Sequence, residues 1–466
     1  MNDVIIVGAG PTGIFSALEI VERSNLKVVI VERGPSIDRR ICPMREKGGE
    51  CRRCPFCALL SGWGGAGAFS DGKLTLSLDA GGRLRELLPS DTMFSLLDYV
   101  DKVYTRFGGG NRVFDPSPDE VARYTSLAQK AGLRLVPMKI RHLGTENCYE
   151  VLKNMEEFLK NRADIRTLTK VDEILVDGIS GRVRGVRLRS GEEIVGKYVI
   201  VAPGRSGAPW LEEQARKLGL ALDQNPVDIG VRVETPAAVM EDLTNIFYEA
   251  KLIYYSRSFD DRVRTFCMCP YGEVVVEWNE EEKVLSVNGH SYGSRRTDKT
   301  NFAVLVSTSF TEPFDEPNLY GSHVARLANL LSGGVIVQRL GDLLSGRRST
   351  YERITRGPVE PSLKEAIPGD LSFVLPYRYL LDIKEMLEAM DKIAPGVFSP
   401  FTLLYGVEVK FYSSKLRLSP VLETEVRNLF AGGDGAGITR GLIQASISGV
   451  IIGREILRRE GKLNSR

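Results

Sequence analysis

The chain has 466 residues, 43 % of them hydrophobic and 26 % charged, which excludes a disordered or fibrous protein and predicts a soluble chain of two or three domains with a substantial core. Its 62 basic and 60 acidic side chains nearly cancel, to a net charge of +2, so no nucleic-acid surface is expected. No stretch approaches the roughly 18 uninterrupted apolar residues of a membrane span; the first strand, starting near Val4, leaves no room for a secretory segment before it, and the cytoplasm is the expected location.

Val4-Ile5-Ile6-Val7 empties into Gly8-Ala9-Gly10-Pro11-Thr12-Gly13, a helical run follows, and Val28-Val29-Ile30-Val31-Glu32 is a second apolar strand ending in a carboxylate. A strand, glycines at first, third and sixth place, a helix and an acid-ended strand make a complete dinucleotide-binding βαβ unit. Gly8 permits the tight turn, Gly10 lets the backbone approach a pyrophosphate at the helix N-terminus, and Gly13 lets that helix pack on its strand. Glu32, followed by Arg33, is placed to accept hydrogen bonds from a ribose.

From Gly34 to about Gly67 periodicity disappears in a long loop rich in Cys, Arg, Pro and Gly. At its end Gly64, Gly65, Ala66 and Gly67 lead into Asp71-Gly72-Lys73, a glycine density that implies close backbone approach to something flat or charged. Helices are predicted over 84–107 and 119–131, the second capped by Ser117 with Pro118 just inside, and again over 145–160. Strands follow over 133–137, 166–176, 183–188 and 193–202; the last ends in Ala202-Pro203-Gly204, with a helix over 210–218 behind it. From Pro226 to about Val409 the texture becomes alternating and β-rich, with helices near 321–332 and 379–392, and the chain closes on Leu429-Phe430-Ala431-Gly432-Gly433-Asp434-Gly435 and a helix over 443–459. The expected organisation is therefore 1–225, an inserted domain over 226–409, and 410–466 returning to the first domain.

The opening glycine turn with Glu32, the strand ending in Ala202-Pro203-Gly204, and the Leu429 to Asp434 segment together resemble the FAD-binding fold of the glutathione-reductase and p-hydroxybenzoate-hydroxylase superfamily. More narrowly, the segments 64–74, Thr265 to Pro270 and Gly435 to Gly441 are similar to predicted FAD-dependent dehydrogenases of bacteria and archaea. The resemblance implies an α/β fold, an FAD-binding Rossmann-like domain with an inserted β-rich α+β substrate or cap domain closing over the flavin ring. It implies further that Asp434 accepts a hydrogen bond from the ribityl chain, that the helix N-terminus at Gly435 faces the pyrophosphate or the flavin edge, and that Val171 lies beside the adenine. Ala202 and Gly204 would run beneath the cofactor, with Gly433, Thr439 and Gly441 completing its binding set. Pro203 stands where the family more usually has threonine, so no side-chain hydrogen bond is implied there. No second GxGxxG unit lies between residues 75 and 425, so an NAD(P)H donor would have to dock without its own Rossmann domain.

Cys42, Cys51, Cys54 and Cys57 place four soft ligands on one irregular loop. Three readings stay open: an iron-sulfur or zinc centre, a redox dithiol activated by Arg52 and Arg53, or thiols that merely stabilise the loop. Cys267 and Cys269 form a CxC pair that by resemblance lines the substrate side of the flavin. Asp71 and Lys73 are candidates to shuttle a proton or orient the flavin edge, against a plain salt bridge, and Arg440 to counter negative charge at the flavin or hold a carboxylate substrate, against plain helix N-terminal structure. The expected activity is hydride or electron transfer between flavin N5 and a small molecule. The alternative is a flavin electron carrier passing electrons from a cysteine-held centre to a partner protein.

Overall fold

The computed structural model describes residues 2–43, 54, 57–70, 72–78, 81–279, 282–292, 295–311, 313–314 and 316–463. The chain divides into two compact units. Unit one comprises Met1–Arg112, Arg141–Asn225 and Tyr412–Arg466; unit two comprises Val113–Ile140 and Pro226–Phe411. Each has a hydrophobic core of its own. Among the described residues no helix is long and apolar enough to cross a membrane.

Unit one is built on a seven-stranded sheet. Asp164–Arg166, Val28–Val31, Asn2–Val7 and Glu193–Val201 run parallel, and Leu429–Ala431 pairs parallel with the end of Glu193–Val201. The long strand Glu193–Val201 changes character along its length. Its first half alternates exposed and buried residues and pairs antiparallel with Val183–Leu188; its second half is buried on both faces between two parallel neighbours. That pattern is what a strand leaving a one-sided arm for a covered parallel sheet requires.

The first helix, Pro11–Arg23, is buried continuously from Thr12 to Ile20. Such a helix needs cover beyond the sheet, and the closing helix Leu442–Arg459 supplies it. A Cβ on Gly449 would lie 2.3 Å from the Thr12 carbonyl oxygen, and one on Gly453 would lie 2.8 Å from Glu19 Cβ, so the two helices touch backbone to backbone. Hydroxyls seal the contact: Thr12 Oγ1 donates to the Ala445 carbonyl at 2.8 Å and Ser16 Oγ to the Gly449 carbonyl at 3.1 Å. Each fully buried Ile or Phe on this pair contributes about 1.5–3 kcal/mol.

Unit two is an eight-stranded sheet ordered Ile367–Pro368, Ile336–Arg339, Leu403–Lys410, Val227–Pro236, Lys299–Thr308, Arg262–Cys269, Lys251–Tyr255 and Leu133–Val136. All neighbours are antiparallel except the first pair. Helices Ala237–Phe247, Pro317–Ser332 and Tyr377–Asp391 pack against its central strands. The fold class read from the sequence, an α/β Rossmann-like domain interrupted by a β-rich α+β domain, is the one observed.

Three elements differ from the sequence reading. Residues 113–140 belong to unit two, because strand Leu133–Val136 finds its partner in Lys251–Tyr255 and helix Pro118–Lys130 sends Tyr124 and Ala128 into the same core. The helix predicted over 84–107 is a short 3-10 turn, Leu84–Glu86, and a separate helix Ser90–Arg106. Pro89 lacks the N–H that would continue the first and is extended. The strand predicted over 166–176 is interrupted after Arg166, where Leu168 adopts a left-handed φ of 54° before Val171–Val176 begins. Ser117 caps this helix as predicted, and the structure completes a capping box, with the Ser117 hydroxyl accepting from the Glu120 N–H and the Glu120 carboxylate from the Ser117 N–H.

Candidate functional site

Around the N-terminus of the first helix, four segments of unit one converge. Gly8 has φ +101°, and a Cβ there would lie 2.2 Å from the Ala202 carbonyl oxygen. At Gly13 it would lie 2.0 Å from the Gly8 oxygen. Both positions therefore exclude every side chain because of the protein's own backbone. Gly10 is different: nothing stands within 4 Å of a Cβ built on it. The helix begins there with no side-chain cap and with Pro11 as its first residue, so the N–H groups of its first turn have no capping side chain.

Glu32 is 6 % exposed and ties three backbones together. Its Oε2 accepts from the Ala9 N–H at 2.8 Å, and its Oε1 from the Gly34 and Gly62 N–H groups at 2.8 and 3.0 Å. A role toward a ribose would therefore be added to a structural one, through the lone pair left on Oε2. The neighbouring chain runs past on the other side: the Glu32 N–H donates to the Arg166 carbonyl and the Thr169 N–H to the Glu32 carbonyl, which carries the path on to buried Val171. Arg33 donates from Nε and Nη2 to Ser61 Oγ at 3.1 and 2.8 Å.

The glycine-rich loop turns out to fold around a residue that sequence reasoning missed. Arg40, 4 % exposed, donates to the carbonyls of Ala58, Leu59, Trp63 and Gly65 at 2.9, 2.9, 2.6 and 2.7 Å. Burial lowers its pKa to about 10, against the nearby Glu32 charge, which raises it. Its hydrogen bonds go to backbone carbonyls, the Phe69 ring centre lies 4.9 Å from its guanidinium carbon, and no motif announces such a cage. The charged object that the loop approaches is thus its own arginine. The Gly64 N–H donates to the Ala9 carbonyl at 2.8 Å, a Cβ on Gly65 would lie 3.2 Å from Gly10 Cα, and one on Gly67 would meet Leu442 at 2.3 Å. Ala66 lies between them in the 3-10 turn Gly65–Phe69.

Two further turns close the ring. Ala202 donates to the Val7 carbonyl at 2.8 Å, and Gly204 follows with φ +66° and nothing within 4 Å of a Cβ. Gly435 backs onto the Gly204 carbonyl, where a Cβ would lie 2.5 Å away, and Gly433 presses on Thr12 Oγ1 at 2.6 Å. Asp434 accepts from Thr439 Oγ1 at 2.8 Å, with Arg205 Nε at 3.5 Å. Burial raises its carboxyl above the ordinary value, while Arg205 and Thr439 pull it down. The helix expected at Gly435 is only the three-residue turn Asp434–Ala436; the long helix starts at Leu442, after Gly441, another glycine with φ +100° and open space around it. Positive φ at Gly433, Gly437 and Gly441 keeps the backbone out of a right-handed helix before Leu442.

Of the proposed chemical residues, Asp71 and Cys51 lie outside the described residues. Lys73 is half-buried in the strand Lys73–Thr75, and Arg440 lies with its guanidinium carbon 3.5 Å from the centre of the Tyr412 ring. Cys267 belongs to unit two. Cys42, Cys54 and Cys57 are half-buried thiols, and among the described residues no group of three or more His, Cys, Asp or Glu could hold a metal ion. His142 and His290 are buried and His323 sits on helix Pro317–Ser332, its Nδ1 2.8 Å from the Leu319 carbonyl.

Residues 226–411 match the family described as FAD-dependent protein, C-terminal domain-like. An uncharacterised protein of Clostridium beijerinckii is 28 % identical over 485 aligned residues, covering 98 % of this chain and 80 % of the relative. Among solved structures, glycine oxidase from Bacillus cereus is 15 % identical with a TM-score of 0.40, covering 100 % of this chain and 96 % of that one. A 3-ketosteroid-Δ4-(5α)-dehydrogenase from Rhodococcus jostii is 13 % identical with a TM-score of 0.44, covering 98 % and 96 %.

Proposed function

We propose that this chain is an FAD-dependent oxidoreductase that moves a hydride or electrons between a bound flavin and a small-molecule substrate. The observation that carries the reading is the cradle itself. Gly10, Gly204 and Gly441 each keep an empty face beside an uncapped helix N-terminus and the Asp434 carboxylate. Gly8 and Gly13 are glycines for the protein's own sake; these three are glycines with nothing yet against them. A long anionic cofactor that needs backbone contact at several points fits such a surface. The family match over 226–411 supports FAD as that cofactor.

In this reading Ala9, Gly10, Pro11, Thr12 and Gly13 present the first helix's N–H groups to the pyrophosphate. Glu32 and Arg33 face the ribose, and Val171 meets the adenine through its backbone. Gly64 to Gly67 and Ala202 to Gly204 supply backbone walls. Asp434 accepts from a ribityl hydroxyl, with Gly433, Gly435, Thr439 and Gly441 holding its turn. When bound, FAD supplies two-electron chemistry at N5. Asp71 and Lys73 would hold or pass a proton, and Arg440 would hold a substrate carboxylate against Tyr412. No observation favours the reading in which an iron-sulfur or zinc centre feeds electrons to a partner protein.

The test is the visible spectrum and flavin content of the purified protein, followed by anaerobic titration with dithionite, NADH and NADPH. Flavin bands that bleach on reduction are expected, and the nicotinamide titrations identify any NAD(P)H donor. A protein without flavin that cannot be reconstituted with FAD ends the proposal.

A further inference from the structure

Unit two contains a cluster of charge and sulfur that the cofactor cradle does not use. Arg232, on strand Val227–Pro236, is fully buried. Its Nε donates to Asn301 Oδ1 at 2.8 Å, its Nη1 to both Glu408 carboxylate oxygens at 3.3 Å, and its Nη2 to the Cys267 carbonyl at 2.5 Å. The same Nη2 reaches Cys269 Sγ at 3.4 Å. Lys410, 5 % exposed, lies 3.1 Å from Glu408 and 3.3 Å from Glu277. Room for the guanidinium exists only because residue 289 is glycine: a Cβ there would lie 1.8 Å from Arg232 Nη2.

The backbone is distorted at the sulfur end of this cluster. Strand Arg262–Cys269 loses register against Lys299–Thr308 between Phe266 and Cys269, and Cys267 adopts a left-handed φ of 46°. Non-glycine residues avoid that conformation, and residues held in it concentrate at functional sites. The Cys269 thiol donates back to the Cys267 carbonyl at 3.4 Å, while Cys269 is fully buried and Cys267 partly exposed. Burial is the largest influence and opposes a charge on Arg232, but Glu408 together with both cysteines outweighs it and holds the guanidinium ionised. A fixed cation beside a sulfur stabilises its thiolate.

We propose that Cys267 and Cys269 are a redox dithiol, positioned by Arg232, that reacts with a low-molecular-weight disulfide. Cys267, the accessible thiol, loses its proton to water and attacks one sulfur of the disulfide; that S–S bond breaks and the departing thiolate takes a proton. Cys269 then loses its proton and attacks Cys267 Sγ, and the second thiol leaves protonated. The protein loses two S–H bonds and gains one S–S bond, and the disulfide is reduced to two thiols. None of this depends on whether FAD occupies unit one.

The full-length protein is incubated with bis(2-hydroxyethyl) disulfide, blocked with N-ethylmaleimide and digested with trypsin, which leaves both cysteines on one peptide, residues 265–283. That peptide is expected to lose both maleimide adducts and to be two hydrogens lighter than the dithiol. Cys269→Ser traps a mixed disulfide on Cys267, and Cys267→Ser leaves Cys269 unoxidised. Arg232→Lys, checked for native circular dichroism, slows oxidation by roughly tenfold, because lysine keeps the charge but not the planar fork that holds Asn301 and Glu408 while Nη2 reaches both cysteines. A peptide carrying both maleimides after exposure, or a Cys269→Ser protein without an adduct, overturns the dithiol. An unchanged rate in Arg232→Lys overturns the positioning role.

Discussion

The two units handle polar groups at their centres in opposite ways. Unit one brings backbone to backbone: Gly8 against Ala202, Gly13 against Gly8, Gly435 against Gly204, with Glu32 collecting three N–H groups. Unit two brings ionised side chains from separate strands into its interior, where Arg232, Glu408 and Lys410 answer one another. A backbone site has its geometry fixed when the chain folds and holds a ligand by what has been left out. A buried ionic cluster has to balance its own charges before it can do anything else. Changing a residue in unit one should therefore separate stability from binding, whereas in unit two a charge removed should cost stability at once.

The largest expected effect tests the second half of that contrast. Glu408→Gln leaves Arg232 and Lys410 without their shared carboxylate and should lower unfolding free energy by about 3–5 kcal/mol, read by urea denaturation. Next, two alanines three residues apart in the same turn should diverge. Gly13→Ala forces a Cβ onto the Gly8 carbonyl and should destabilise by about 3 kcal/mol, seen as a lowered melting temperature with or without added FAD. Gly10→Ala meets no protein atom and should leave the melting temperature of the flavin-free protein unchanged, while weakening FAD by about tenfold or more in a fluorescence titration. Equal effects of the two alanines would erase the distinction between structural and ligand-facing glycines.

Smaller effects come from single groups in unit two. Burial, with the Asp261 carboxyl beside it, pushes Asp382 up to about 6, while Arg378 holds Asp261 below the ordinary value. A carboxyl raised in the folded state binds its proton more tightly there than when unfolded, so its contribution to stability falls as pH rises from about 4 to about 6. Asp382→Asn should remove that slope and gain about 1 kcal/mol at pH 8, measured by denaturation across pH. Smallest, Ser117→Ala opens the capping box and should cost about 1 kcal/mol.

What was readable in advance follows the same division. Glycine spacing announces unit one because only glycine satisfies a Cβ distance of about 2 Å, so Gly8 and Gly13 are legible from sequence alone. Ser117 is legible because a helix cap is local. Arg40 was not, since its carbonyl partners come from an aperiodic loop, and Arg232 was not, since Asn301, Glu408 and the cysteines lie on three other strands. Residues 113–140 were placed with the wrong unit for a related reason: an apolar strand declares that it needs a neighbour, not which one. The break at Pro89 was present in the sequence and was outweighed by apolar periodicity on both sides of it.

The backbone contact between the first helix and the helix Leu442–Arg459 also sets an order of events. On a ribosome, residues 11–23 emerge early, yet the surface that must cover Thr12 and Ser16 is translated only after more than four hundred further residues. Unit two spans 113–140 and 226–411 and is fully synthesised before that helix exists. The part of the protein made first is thus the part completed last, and until then its apolar helix is left to whatever shelters nascent chains.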